Sequence, residues 1–396
     1  MLARPKAEPR VSGAARPTLS GNPLPATAAQ QLGRRSFLRR LGWSSTALLP
    51  ISGLITSENL AKADHGGDDG RDNRGQGNRG RQNLTNGDAA ILRFLAAAEI
   101  LETDLWQQYN ELALGNPAFQ GALMVLDGDM PTYVNQNTRD EFSHQDFLNA
   151  YLMSKGAKPV SLEQFRTLPS SQATGANKSA KRLTNLMNLT VDTSWYTRYR
   201  SSGNPDFGDT FPQIVDLVNL PAIPNSDLPL QSDAIQLIAN TAGFHFATIE
   251  QGGTSLYASF LPIVTSREVV RIVAAIGGTE VQHFEVWQDK AGNAPPVPLA
   301  TGSLFPQLPQ APDQTPNGKD PADPIDTNQI MPAPCTFISK SLPLCSVIRP
   351  TLPANAGAQA AAKALMASGL FDGQSDGFFN ALTELAEAAD AARFEG

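Results

Sequence analysis

The stretch Asp140-Glu141-Phe142-Ser143-His144-Gln145-Asp146-Phe147-Leu148 sets a carboxylate and an imidazole three residues apart inside a helix-like pattern. At that spacing the two side chains lie about 60° apart on one helix face, so both reach a single cation. The arrangement recurs at Glu280 and His283, and the two pairs use two of only four histidines in the chain. A lone glutamate precedes each pair on another apolar stretch, Glu99 before the first and Glu250 before the second.

The phase of these residues matters more than the motif. Leu92, Leu95, Glu99, Glu102, Trp106 and Tyr109 advance by steps of three and four, the seam that a bundle helix turns inward. Val134, Asn137, Glu141, His144, Leu148 and Tyr151 form a second seam, Phe246, Glu250, Gly253 and Tyr257 a third, and Val269, Val273, Ile276, Glu280, His283 and Trp287 a fourth. Carboxylates therefore stand where core residues belong. Four acids converging in an apolar bundle cannot all stay ionised without compensating charge, because burying even one unpaired carboxylate is prohibitive. The constellation reads as a dinuclear metal site written across four helices. The competing reading, solvated surface pairs, conflicts with the seam phase.

The helices are predicted over about Asp88 to Leu114, stopped by Gly115-Asn116-Pro117, Met130 to Lys155, and Ser232 to Phe260. The fourth opens with a capping-box pattern, Thr265-Ser266-Arg267-Glu268, and ends near Gly292. A short apolar segment, Ala118 to Leu126, is expected to cap one end of the bundle. Glu141 and Glu250 are 109 residues apart, far more than a crossover along a bundle needs, so 166–231 is an elaborated insertion. It is read as a meandering loop anchored by aromatics among Trp195, Tyr196, Tyr199 and Phe207, with a lid as the alternative. Gly252-Gly253 and Gly277-Gly278 flank ligand positions despite a cost of about 1 kcal/mol for each glycine inside a helix. They imply close approach of the third and fourth helices, or room beside the metals for a small molecule, or else a local kink without chemical role. His245 falls off the ligand face and reads as a packed or surface histidine.

The run Ala98-Glu99-Ile100-Leu101-Glu102-Thr103-Asp104-Leu105-Trp106, taken with Asp140 to Leu148, resembles the ferritin-like superfamily. It is most similar to exported bacterial ferritin-like domain proteins, which plant desiccation-related proteins also resemble. The resemblance covers about 88–165 and 232–292 and implies an all-α four-helix bundle. It implies Glu99, Glu141, His144, Glu250, Glu280 and His283 as ligands of two Fe or Mn ions, metals that also suit mixed carboxylate and imidazole donors. Glu102, one turn beyond Glu99, is read as an acceptor bonded to the ligands, and a solvated charge is the alternative. The family often places Tyr seven residues after the first Glu; this chain has Trp106 there, which puts tyrosine radical or iron-relay chemistry at that position in doubt. Tyr257, seven after Glu250, is the substitute phenol unless it is only a core aromatic. Glu102 and Tyr257 are thus the candidate catalytic residues.

Gly33-Arg34-Arg35-Ser36-Phe37-Leu38-Arg39, an apolar stretch from Leu41 to about Ile55 and Ala61-Lys62-Ala63 look like a twin-arginine export signal cleaved after Ala63. Arg34 and Arg35 would engage the export machinery, and the apolar stretch is too short and interrupted for a stable span. Export of folded protein fits a metal site assembled in the cytoplasm before secretion to the periplasm or beyond. Removing 1–63 takes away nine basic and two acidic residues, leaving a net charge of −14 where the whole chain has −7. That acidity excludes nucleic acid as a partner. Residues 64–87, with His65, read as a solvated linker.

Residues 293–396 read as a Pro-rich arm followed by two Ala-rich helices, the second with Phe378, Phe379, Leu382 and Leu385 on one face, either docked on the bundle or open to a partner. Cys335 and Cys345, the only cysteines, either close a disulfide or remain free thiols, and no zinc site is expected from them. There is no Gly-rich phosphate loop and no Ser-His-Asp arrangement. The expected function is dimetal redox chemistry on peroxide, O2 or Fe(II), ferroxidase or catalase-like, in a monomer or small oligomer. The alternative is a noncatalytic exported protein with a structural metal site or a protective or binding role.

Overall fold

The computed structural model describes residues 84–195, 213–299, 302, 305, 334–347 and 357–392. The chain divides into two units, 1–75 and 76–396, and all described residues belong to the second. The export signal, most of the linker, Tyr196, Tyr199 and Phe207, and the arm over 306–333 lie outside them.

Seven helices are present among the described residues. Helix α1 (Asn86–Gly115) starts where Thr85 Oγ1 accepts the Asp88 N–H at 3.0 Å, and at 30 residues it is about 45 Å long. Asn116 leaves the helix in extended conformation, and its Oδ1 accepts Phe119 N–H at 2.9 Å to begin α2 (Pro117–Leu126). Pro117 sits in the first turn of α2, where its missing N–H has no helical partner to lose. Gly115 can end α1 there because a side chain on it would strike the Gly175 backbone at 2.6 Å. Helix α3 (Met130–Ser154) gives way to Gly156, whose φ of +77° favours glycine. Helices α4 (Asp233–Phe260) and α5 (Arg267–Ala291) complete the bundle. The four long helices end within two residues of the predicted limits.

The capping box predicted for the fourth helix does not form. Ser266 is the N-cap of α5 and makes no side-chain cap bond. Instead, the Asp88 carboxylate accepts Thr265 N–H at 2.8 Å, Ser266 N–H at 2.9 Å and Thr265 Oγ1 at 3.0 Å. A full charge at the positive end of a helix holds these donors better than a local hydroxyl does. Glu268, freed from the box, pairs with Lys155 at 2.5 Å and accepts Tyr151 OH at 2.9 Å.

Helices α1 and α3 pack as one hairpin, α4 and α5 as another, and the 155–232 crossover joins them. Within the crossover, β1 (Leu189–Val191) pairs antiparallel with β2 (Leu217–Leu220). Trp195 is its described aromatic anchor, buried against Phe244 and Phe284 at 5.5 and 5.8 Å. A carboxylate anchors the segment as well, contrary to the purely aromatic reading. Asp104, fully buried on α1, accepts Leu183 N–H at 3.0 Å, Thr184 N–H at 2.9 Å and Thr184 Oγ1 at 2.7 Å, and pairs with Arg166 at 2.5 Å. No aromatic residue can satisfy two backbone donors and a guanidinium at once.

The C-terminal helices α6 (Ala358–Ala367) and α7 (Asp376–Ala391) dock on the bundle, α7 lying along α1. Phe378 and Leu382 are buried, and Phe379 and Leu385 pack partly buried against the same core. Leu370 O accepts Asn185 N–H at 2.7 Å, so the module also grips the crossover. The arm begins on α4, where Pro295 O accepts Asn240 Nδ2 at 2.8 Å. Further on, β3 (Pro334–Cys335) pairs with β4 (Cys345–Ser346); Cys335 and Cys345 face each other as free thiols. No helix among the described residues is long and apolar enough to cross a membrane.

Replacing Asp104 with Ala leaves the crossover's buried backbone donors unpaired and takes from Arg166 one of its two carboxylate partners, the other being Glu163. A loss of about 3–5 kcal/mol in unfolding free energy is expected from chemical denaturation.

Candidate metal centre

Each helix hairpin brings half of a buried acidic cluster. Helix α1 supplies Glu99, α3 Glu141 and His144, α4 Glu250, and α5 Glu280 and His283. The four glutamates are at most 1% exposed, and the two histidines 8% and 7%. Two overlapping donor sets result, Glu99, Glu141, His144 and Glu280, and Glu141, Glu250, Glu280 and His283, each with one donor atom per residue within 4.8 Å of the rest. Glu141 and Glu280 belong to both.

His144 Nδ1 lies 3.1 Å from Glu141, 3.4 Å from Glu99 and 3.5 Å from Glu280. His283 Nδ1 lies 3.1 Å from Glu250 and 3.2 Å from Glu141, while its Nε2 meets Asp140 at 3.1 Å. Asn137 donates to Glu141 at 2.8 Å and Glu250 at 2.9 Å and accepts Trp287 Nε1 at 2.8 Å. Tyr257 OH donates to Glu99 Oε1. Neither oxygen of Glu280, nor Glu99 Oε2, has a hydrogen-bond partner, although all three are buried. Unpaired buried carboxylate oxygens turned toward one another are costly unless a cation or proton lies between them. The donor set therefore fits a pair of metal ions.

The electrostatics agree. Burial, then repulsion from Glu141 and Glu250, pushes the Glu280 carboxyl well above the usual range. Burial and repulsion from Glu250 outweigh the bonds from His144 and His283 and raise Glu141 to about 7. Burial pulls His144 down, but the adjoining carboxylates of Glu141 and Glu99 prevail and hold it up at about 10. His283 moves upward for the same reason, with Glu250 leading the carboxylates that oppose its burial. Without metal, the cluster thus retains protons that a cation would displace.

A family model for the ferritin-like domain matches residues 87–293, just over half of the chain. The chain belongs to the ferritin-like family. No curated protein and no solved structure matches it. This ferritin-like chain brings all six residues expected as ligands together. Glu102 lies outside both donor sets; burial, then repulsion from Glu99 and Glu141, raises its carboxyl. Tyr257 reaches the centre through Glu99. Glycines make room: a side chain at Gly253 would run into the Glu280 carboxylate, and one at Gly277 would meet Tyr257 Cβ at 2.7 Å, whereas Gly278 faces open space. His245 is fully packed rather than at the surface, its Nδ1 2.8 Å from Tyr109 OH. Asn137 and Asp140 are supports that the sequence reading did not assign. Asn137 sits one turn before Glu141 on the ligand seam, a signal that could have found it. The Asp140 contact crosses between helices and left no such trace.

Raised pKa values stabilise the metal-free fold at low pH only. Glu141 contributes fully below its unfolded value of 4.5 and loses that contribution as the pH climbs through about 7. His144 loses its contribution between 6.5 and about 10. The melting temperature of chelator-treated protein is therefore expected to fall steadily from about pH 5 to about pH 9, and Mn(II) to restore it. A flat or rising profile in thermal denaturation would contradict this.

Proposed function

We propose that this ferritin-like chain is an exported dinuclear iron or manganese protein whose centre performs redox chemistry on peroxide, O2 or Fe(II). The observation that carries the proposal is the sharing of Glu141 and Glu280 by two donor sets, with both Glu280 oxygens lacking a bond in the protein. A set with two shared and four unshared donors suits two cations side by side. Glu99 and His144 would hold one ion, Glu250 and His283 the other, and Glu141 and Glu280 both. Iron or manganese so bound supplies two electrons per pair to O2 or peroxide.

The surrounding residues act on the ligands. Asn137, fixed by Trp287, donates to Glu141 and Glu250 from one amide nitrogen and so bridges them, and Asp140 fixes the ring of His283 from outside. Tyr257 keeps a proton on its phenol beside Glu99, because burial and then the charges of Glu99 and Glu280 oppose its loss. Trp106 and Phe246, one or two turns from ligand positions on α1 and α4, are themselves fully buried and pack on each other.

Elemental analysis of natively produced protein is expected to give two iron or manganese ions per chain. Glu280→Gln should lower that content while raising the melting temperature of the metal-free form, since a neutral amide relieves the repulsion. Undiminished metal in the variant refutes the ligand assignment. Full metal occupancy without turnover of peroxide, O2 or Fe(II) identifies the noncatalytic reading instead.

The sequence supports the place of action. The twin-arginine pattern at Arg34 and Arg35, followed by Ala61-Lys62-Ala63, fits export with metal already bound. Replacing both arginines with lysine is expected to retain the uncleaved protein in the cytoplasm, as cell fractionation would show. A monomer or small oligomer fits α7 covering part of the α1 surface.

A further inference from the structure

Tyr109 and His245 form a buried polar pair that metal binding does not use. Tyr109, on α1, is fully buried, and His245, on α4, is 1% exposed. The phenol oxygen lies 2.8 Å from His245 Nδ1, and His245 Nε2 has no partner. With the imidazole proton on Nε2, the phenol donates to Nδ1 and one group stays unbonded. With it on Nδ1, both the phenol hydrogen and Nε2 are left unbonded. The first tautomer therefore prevails. Burial alone holds the imidazole neutral, pulling it down to about 3, and raises the phenol well above its ordinary value. A phenol in contact with a neutral base results. Two apolar side chains of the same shape would fill this space without an unbonded nitrogen, so packing does not account for the pair.

A continuous aromatic column joins the pair to the metal centre. Asn137, which bonds Glu141 and Glu250, accepts Trp287 Nε1. Trp287 stacks on Trp106 with ring centres 5.3 Å apart and planes at 23°. Trp106 lies 5.8 Å from Tyr109, and Phe246 touches all three rings at 4.6 to 4.8 Å. The proton partners differ along the column. Trp287 points its N–H at an amide oxygen, a very weak base, and Trp106 Nε1 has no acceptor. An electron vacancy on either indole cannot be neutralised by losing a proton there. Only at Tyr109 does the donor hydrogen face a base.

We propose that Tyr109 and His245 are a proton-coupled redox pair, reached from the metal centre through Trp287 and Trp106. Trp287 gives an electron to an iron or manganese ion that hydrogen peroxide has oxidised, and recovers it from Trp106. Tyr109 then gives one electron to Trp106 while its phenolic O–H bond breaks and the proton passes to His245 Nδ1. The products are a neutral tyrosyl radical, an imidazolium and two restored indoles. An external thiol returns the electron, itself becoming a radical cation that loses its proton to water to leave a thiyl radical, and His245 returns the proton that re-forms the phenolic O–H bond. The pair drains oxidising equivalents from the carboxylate and imidazole ligands when no other reductant is at hand. The supply of oxidant rests on the proposed function; the pair itself does not.

Two measurements test the proposal. Metal-free protein is oxidised by photogenerated ruthenium(III) tris(bipyridine), and tyrosyl radical is read by electron paramagnetic resonance. A long-lived signal is expected in the wild type and in Tyr257→Phe, lost in Tyr109→Phe and shortened in His245→Gln, which keeps an acceptor but no base. Subtracting the Tyr109→Phe spectrum removes radicals on other tyrosines. The Fe(II)-loaded protein is then mixed with hydrogen peroxide and freeze-quenched; the same signal is expected, and its loss in Trp106→Phe. A signal indifferent to Tyr109→Phe and His245→Gln overturns the proposal, as does one from the metal-free protein that vanishes in Tyr257→Phe. Should Tyr109→Phe fail to fold, His245→Gln and Trp106→Phe decide. Metal analysis of the same samples separates the two readings: no bound metal refutes the proposed function, whereas bound metal and consumed peroxide without a Tyr109 signal refute the pair.

Discussion

Mutual repulsion among four buried carboxylates is the constraint around which this molecule is built. In an apolar bundle, no arrangement of Glu99, Glu141, Glu250 and Glu280 is tolerable as four bare anions. Protons or cations must share the space, and the two imidazoles supply only part of the compensation. The supporting residues make sense in that light. Asn137 bridges two of the acids with one amide, and Tyr257 blunts a third with a phenol. Gly253 exists as a gap into which the carboxylate of Glu280 fits. The surrounding core, Trp106, Phe246 and Trp287 among it, excludes the water that would otherwise relieve the charge.

The buried cluster was legible because its chemistry conflicts with its position. A glutamate or histidine on an apolar seam breaks the pattern that folds the helix, and four glutamates with two histidines on such seams left a signal that composition alone would hide. The helix limits were equally readable, since Pro117 and Gly156 mark helix boundaries by local backbone geometry. What escaped the sequence depends on partners distant along the chain. Asp88 was read only as the start of its own helix, and Thr265 to Glu268 as a capping box; the fold joins Asp88 to the start of α5 instead. Asp104 was given no role of its own, yet it anchors the crossover. His245 was placed correctly off the ligand face, but its phenol partner comes from α1, which no periodicity within α4 could indicate.

The extensions are part of the same body. The C-terminal helices share the hydrophobic core with the bundle, and the crossover is bonded to both. This arrangement differs from a bundle with loops hung on it. Phe165, Phe371 and Phe378 form a small aromatic joint where crossover and C-terminal module meet, with ring centres 4.9 to 5.6 Å apart. The elaborations thus bury surface of α1 that a bare four-helix bundle leaves to solvent or to neighbours.

The division of donors between hairpins bears on how the chain reaches its native state. Each hairpin is stitched by contacts close in sequence and can assemble quickly, whereas joining them requires closure of a long crossover. Each also arrives carrying two acids and one imidazole toward the seam where they meet. The final docking event therefore brings like charges together before packing can reward it. Docking of the hairpins is accordingly the step at which the ionic state of the half-sites counts, and protons or cations from the medium lower its cost.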